Sequence, residues 1–248
     1  MKSSELRPST VALHYGYDPS ETDHKSIAVP LHANTAYAFD DSNSAKDIFE
    51  LKSGGYLYTR LNNPTTTILE ERLAAFEGGV GAVATSCGQS ANALALLTLL
   101  RSGDHIVASS SIYGGTFHLL SDTLPRFGIS TTFVQIGDLN AVERAIRPET
   151  KLIYSEVLGN PKLDFTDVRK VSGLAHRHGL PYFVDNTLTP GLYSPMEDGA
   201  DVVIYALTKY ICGNGTVMGG AIIDSGNYDW GGGLFPEFTL PNSSSSIP

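Results

Sequence analysis

Short apolar runs punctuate the chain at residues 81–85, 105–109, 127–135, 152–155, 182–184, 202–205 and 219–224, most of them bounded by glycine, proline or polar turns. Runs this short and this continuously apolar predict strands covered on both faces. Between them lie segments with helical spacing at 91–100, 139–146 and 168–178, the last aligning Val168, Val171 and Leu174. The alternation predicts an α/β architecture, a mostly parallel sheet covered by helices. Upstream the pattern weakens. Residues 41–52 offer only an incomplete apolar face of Ala45, Ile48, Phe49 and Leu51. Asn63-Pro64 reads as an N-cap with proline at the first helical position. The helix beyond it directs Ile68, Leu69, Leu73 and Phe76 to the core and stops at Gly78-Gly79. Residues 1–50 thus read as an extended arm, 51–235 as the main domain, and 236–248 as a serine-rich, disordered tail.

Ligands of open α/β sheets sit beyond the carboxyl ends of the strands, so the residues after each run carry the candidate chemistry. After 81–85 comes Ser86-Cys87-Gly88-Gln89-Ser90, a small-residue turn opening a helix and hence an anion cup. It is not a G-x-G-x-x-G fingerprint, so a dinucleotide site is not predicted. Tyr113-Gly114-Gly115 follows the next run, and Glu156 with Gly159-Asn160-Pro161 follows 152–155. Asp185 ends the 182–184 run, and Thr208-Lys209 stands just beyond 202–205. Lysine there can form a Schiff base, and aspartate at a neighbouring strand end can hold a pyridinium nitrogen protonated. Together they predict pyridoxal phosphate. Each residue also has a plainer reading: Lys209 as a surface cation, Asp185 as a cap, Tyr113 as a turn tyrosine. Tyr58 and Arg60 suit a phosphate clamp or an ordinary exposed loop.

Composition narrows the class further. The chain is 42% hydrophobic and 17% charged, enough apolar material for a core. Seventeen basic against 26 acidic residues give −9, with no basic stripe for nucleic acid. An acidic protein must hold a phosphate through a local nest of backbone N–H groups. Two cysteines, Cys87 and Cys212, make no disulfide framework. No metal constellation stands out. The first residues lack a signal peptide's apolar segment, and the apolar run at 91–100 is too short to span a membrane. These features predict a cytoplasmic protein without membrane or nucleic-acid partners.

Ordered motifs then carry a resemblance: YTRLNNPTTTILEERLAAFEGG, TSCGQSA, SIYGGTF, GNPKLD, VDNTLTP and ALTKYICGNGTVMGG. Over residues 10–240 the chain resembles the Cys/Met-metabolism PLP-dependent enzymes, and DSGNYDW and FPEFTLP lean toward the O-acetylhomoserine branch. The resemblance implies an aspartate-aminotransferase-like large domain of PLP fold type I, with the small C-terminal domain and its carboxylate-binding arginine missing. It implies Lys209 as the Schiff-base lysine and Asp185 as partner of the ring nitrogen. Gly88 and Gln89 N–H groups and the Thr208 hydroxyl would hold the phosphate, Tyr113 would stack on the ring, and Thr187 would lie near it. Asn160 would face the substrate or the ring hydroxyl. Tyr58 and Arg60 would reach the phosphate of a neighbouring subunit's cofactor in a dimer of dimers. The implied reaction is γ-replacement on O-acetylhomoserine by sulfide or methanethiol, giving homocysteine or methionine plus acetate. The alternatives are an inactive remnant or interaction subunit, or a γ-lyase or cystathionine synthase. Departures are Ala206 where the family has a phosphate-side serine, Asn214 for a histidine, Cys87 for a serine, and Leu31-His32-Ala33-Asn34 in the arm.

Overall fold

The computed structural model describes residues 6–22 and 24–239, so residues 240–248 of the expected tail lie outside the described residues. The chain divides into two compact units, up to Phe76 and from Glu77 onward. In the first unit, helices α1 (Pro8–His14), α2 (Ser42–Phe49) and α3 (Pro64–Glu77, its last residue counted with the second unit) are joined by extended chain. Asp41 caps α2 by accepting from the N–H groups of Asn43 and Ser44, both at 2.8 Å. The helix buries none of its residues and stops short of the expected end. Leu51 lies beyond it with φ +56° and is exposed. The predicted cap of α3 is in place, with Asn63 Oδ1 accepting from Thr65 N at 2.9 Å. Leu73 is buried as expected, but Leu69 is exposed. Gly78 takes φ +77°, the left-handed turn that ends α3.

The second unit is built on a sheet whose described strands run in the order β1-β7-β6-β5-β4-β2-β3. They are β1 (Gly81–Thr85), β2 (His105–Ser109), β3 (Ser130–Val134), β4 (Thr150–Glu156), β5 (Tyr182–Asp185), β6 (Val202–Tyr205) and β7 (Gly220–Asp224). Strands β6, β5, β4, β2 and β3 are mutually parallel, and β7 is antiparallel to both β6 and β1. The expected strand at 127–135 begins only at Ser130. A 3-10 turn over Leu124–Phe127 precedes it, and Gly128 at φ +78° turns the chain.

Helix α4 (Gly88–Leu99) starts three residues earlier than its apolar spacing predicts. Its Ala91, Ala95, Leu96 and Leu99 join Ile106, Leu152, Phe183 and Ile204 in one buried cluster. Alternate strand residues Val107, Ile153, Val184 and Val203 are equally buried on the opposite face. Helices α5 (Gly114–His118) and α6 (Leu139–Ala145) flank the sheet, while α7 (Val168–Arg177) packs on β5 with Val168, Val171 and Leu174 buried. After β7 the glycine-rich stretch is ordered by aromatics. Phe235 is fully buried, Trp230 lies 5.7 Å from it, and Pro236–Phe238 forms a 3-10 turn where a disordered tail was expected.

Candidate active site

The carboxyl ends of β2, β4, β5 and β6 open onto a cleft of about 570 Å³, within the range of small-molecule sites. It is lined by Cys87, Gly88 and Gln89 on one side and by Tyr113, Asn160, Asp185, Thr187, Thr208 and Lys209 on the others. Eight of the ten predicted site residues therefore converge. Tyr58 and Arg60 belong to the first unit, where the Arg60 guanidinium stacks 5.3 Å from the centre of the Tyr58 ring.

The cup forms because α4 begins at Gly88. Cys87 is its N-cap, its Sγ accepting from Ser90 N at 3.3 Å. The Ser90 hydroxyl beside the sulfur, and then this backbone contact, lower the thiol's pKa. The first N–H groups of the helix have no carbonyl partner within it, which makes the end electropositive. Glycine at 88 is a packing requirement: a Cβ there would lie 2.6 Å from the Ala206 Cβ and 2.9 Å from its Cα. Gly220 is equally constrained, since its Cβ would meet the Cys87 carbonyl oxygen at 2.2 Å. The cup is thus pressed onto the ends of β6 and β7 by two side-chain-free contacts.

Thr187 ties the two sides of the cleft. Its backbone N–H donates to Asp185 Oδ1 at 2.9 Å, and its Oγ1 accepts from Ala206 N at 2.8 Å. The Thr208 hydroxyl donates to Gly219 O at 3.2 Å and accepts from Gly219 N at 3.1 Å, which fixes the Lys209 turn against β7. Lys209 itself is exposed to the cleft. The Tyr113 ring lies over Gly115, whose added Cβ would be 2.6 Å from Tyr113 Cε1.

Three groups carry weight that sequence reasoning did not give them. Glu156 and Asp185 end adjacent parallel strands and are register partners. Both carboxyls are buried. Burial, and then the charge of Asp185, push Glu156 up to about 8. Burial likewise raises Asp185, against hydrogen bonds from Thr187 and Asn92. Asn92, on the buried side of α4, accepts from the Tyr154 hydroxyl at 2.7 Å and donates to Gly88 O at 3.2 Å, linking the cup to Asp185. Glu77 accepts from the Tyr205 hydroxyl, which in turn accepts from Asn186 Nδ2 at 2.7 Å. A polar residue on an otherwise apolar helix was the available signal for Asn92. The pairing of Glu156 with Asp185 had none, because it depends on strand order.

Comparison with known proteins identifies the family and the fold. The family model for Cys/Met metabolism PLP-dependent enzymes matches residues 9–235. The O-acetyl-L-homoserine sulfhydrylase of Leptospira meyeri is 48% identical over 96% of this chain and 54% of its own length. The homocysteine/cysteine synthase of Saccharomyces cerevisiae is 43% identical over 94% of this chain and 53% of its own. A solved chain from Campylobacter jejuni, described as an O-acetylhomoserine (thiol)-lyase and containing a pyridoxyl-lysine phosphate, superimposes with a TM-score of 0.93. It is 36% identical, and the match covers 97% of this chain and 60% of that one. The chain therefore spans a little over half the length of the relatives it matches. The architecture is that of these enzymes, and the chain belongs to the family of Cys/Met metabolism PLP-dependent enzymes.

Proposed function

We propose that this chain provides the cofactor site of a pyridoxal-phosphate enzyme that exchanges the acetate of O-acetylhomoserine for a sulfur nucleophile. The observation that carries the reading is the convergence of Lys209, Asp185 and the α4 cup on one cleft. The residues fit the cofactor. Gly88 leaves an uncluttered helix N-terminus for a phosphate, and a buried carboxylate stands at Asp185 for a ring N–H. Pyridoxal phosphate, when bound, supplies a carbonyl for amines and an electron sink for charge developing beside it.

The chain's own residues do the rest. Gly88 and Gln89 hold the phosphate through backbone N–H groups, with the Thr208 hydroxyl beside them. Asp185 keeps the ring nitrogen protonated, and Thr187 orients Asp185 through the bond at 2.9 Å. Tyr113 and Asn160 line the cleft, where the first would stack on the cofactor ring and the second would meet the substrate. Lys209 anchors the cofactor, and its free amine moves protons at the α and β carbons of the substrate. Acetate leaves the γ carbon, and sulfide or methanethiol takes its place, giving homocysteine or methionine. Tyr58 and Arg60 serve a neighbouring copy's phosphate in a cytoplasmic homo-oligomer. Among the described residues, no helix is long and apolar enough to cross a membrane, and no cluster of metal-ligating side chains occurs.

The first test is an absorption spectrum of the protein mixed with pyridoxal phosphate, before and after borohydride, beside Lys209→Ala. A visible band that borohydride removes, absent from the variant, is the expected result. A folded wild-type protein without that band overturns the reading. Acetate release from O-acetylhomoserine, with and without sulfide, then separates replacement from elimination.

A further inference from the structure

Three strand ends meet beneath the cleft, and one side chain there grips the loops beyond two of them. Glu156 closes β4, between β2 and β5 in the sheet. Its Oε1 accepts from Tyr113 N at 2.7 Å, in the segment beyond β2. It also accepts from the backbone N–H of Asn160, in the loop beyond its own strand. The two segments are joined once more at their rims, where Ser111 Oγ donates to Asp164 Oδ1 at 2.5 Å. Gly159 permits that approach, since a Cβ there would lie 2.3 Å from Ser111 Oγ and 2.4 Å from Asp164 Oδ1.

We infer that Glu156 is a positioning residue for the cofactor site: through two backbone N–H groups it fixes Tyr113 and Asn160 relative to Asp185, its partner on the adjacent strand. Neither side chain is gripped directly. Tyr113 is about half exposed, so its placement depends on its backbone, and the backbone is held by a buried acceptor. The inference deepens the proposed function and rests on it only where cofactor is added.

Burial favours the protonated acid at Glu156, and glutamine reproduces that form's carbonyl oxygen and size. This sets the design of the test. Hydrogen exchange at the Tyr113 and Asn160 amides is measured in cofactor-free wild type, Glu156→Gln and Glu156→Leu, with circular dichroism to establish folding. Leucine keeps the bulk without the acceptor, so the two backbone N–H groups lose their partner while the space stays filled. Loss of each bond is expected to speed exchange of both amides by about tenfold in Glu156→Leu, and hardly at all in Glu156→Gln. Titration with pyridoxal phosphate should show affinity weakened by roughly tenfold in Glu156→Leu and within about threefold of wild type in Glu156→Gln.

Unchanged exchange at both amides in Glu156→Leu overturns the inference, whatever the cofactor does. Equal defects in Glu156→Gln and Glu156→Leu also overturn it, because charge and not acceptor geometry would then be the determinant. Should Glu156→Leu fail to fold, Glu156→Asp withdraws the acceptor by one methylene and is held to the same two outcomes. Absence of cofactor binding in wild type, with exchange as expected, would refute the proposed function and leave the positioning role standing.

Discussion

The two ends of the parallel sheet treat buried polar groups in opposite ways. At the amino-terminal end, His105 opens β2 fully buried, with Nδ1 2.8 Å from Thr150 Oγ1 and Nε2 2.9 Å from Thr132 Oγ1. Nearby, the Asp201 carboxylate accepts from Tyr182 N at 2.8 Å and faces the His176 ring at 2.8 Å. Each polar group there has a partner of complementary kind. At the carboxyl-terminal end, two carboxyls are register partners, and the cup requires glycines where a methyl group would collide. One end is arranged for stability. The other carries electrostatic and steric cost around a cleft, the pattern that functional sites commonly show.

The contrast is most vulnerable at Gly88. Gly88→Ala places a Cβ within 3 Å of Ala206 and is expected to displace the first turn of α4. Such overpacking corresponds to roughly 10- to 100-fold weaker cofactor binding, read by titration of the visible band. Binding unchanged from wild type would show that the tight contact is not needed by the cup.

Glu156→Gln probes the same contrast from the stability side. Below about pH 4.5 the folded and unfolded states both hold the Glu156 proton. Between there and about 8 only the folded state keeps it, so wild-type stability declines as pH rises through that window. Glutamine has no proton to lose. The variant's unfolding free energy is expected to exceed the wild type's by an amount that grows from pH 5 to pH 8, reaching about 1–3 kcal/mol. A constant difference across that range would mean that the paired carboxyls carry no electrostatic cost.

The smallest effect lies at the other end. His105→Leu leaves two threonine hydroxyls without their ring partner and is expected to cost about 1 kcal/mol at pH 7, with cofactor binding unchanged. Burial, then the Arg147 charge, lowers His105 to about 4. The unfolded chain therefore takes up a proton first, and wild-type stability falls as pH drops below about 6.5. The gap between wild type and variant should narrow between pH 7 and pH 5 in denaturant titrations.

Much of this was legible in the residues. Strand β6 is an uninterrupted apolar run and β2 is apolar from Ile106 to Ala108, and Asp185 and Lys209 follow their strands closely enough for sequence to place them at one rim. Helix α4 starts early because Cys87 caps it, and small residues there look like a turn. Strand β3 was overdrawn because Phe127 and Ile129 look like strand residues although a left-handed glycine separates them. The Glu156–Asp185 relation was invisible for a different reason. It depends on β4 and β5 being neighbours, a property of topology and not of either segment.

The antiparallel β7 has a consequence for how the protein reaches its native state. Gly220 closes the gap on Cys87, and the β7 register sets Gly81 opposite Asp224, contacts between segments from opposite ends of the second unit's sequence. Pairings so distant in sequence carry a large loop-closure entropy and form slowly. Seating of the anion cup therefore depends on one of the longest loop closures in the second unit, the pairing of β7 with β1 and β6. A chain in which β7 has not paired would lack the Gly220–Cys87 contact that seats the cup, so anion binding there would report completion of the sheet.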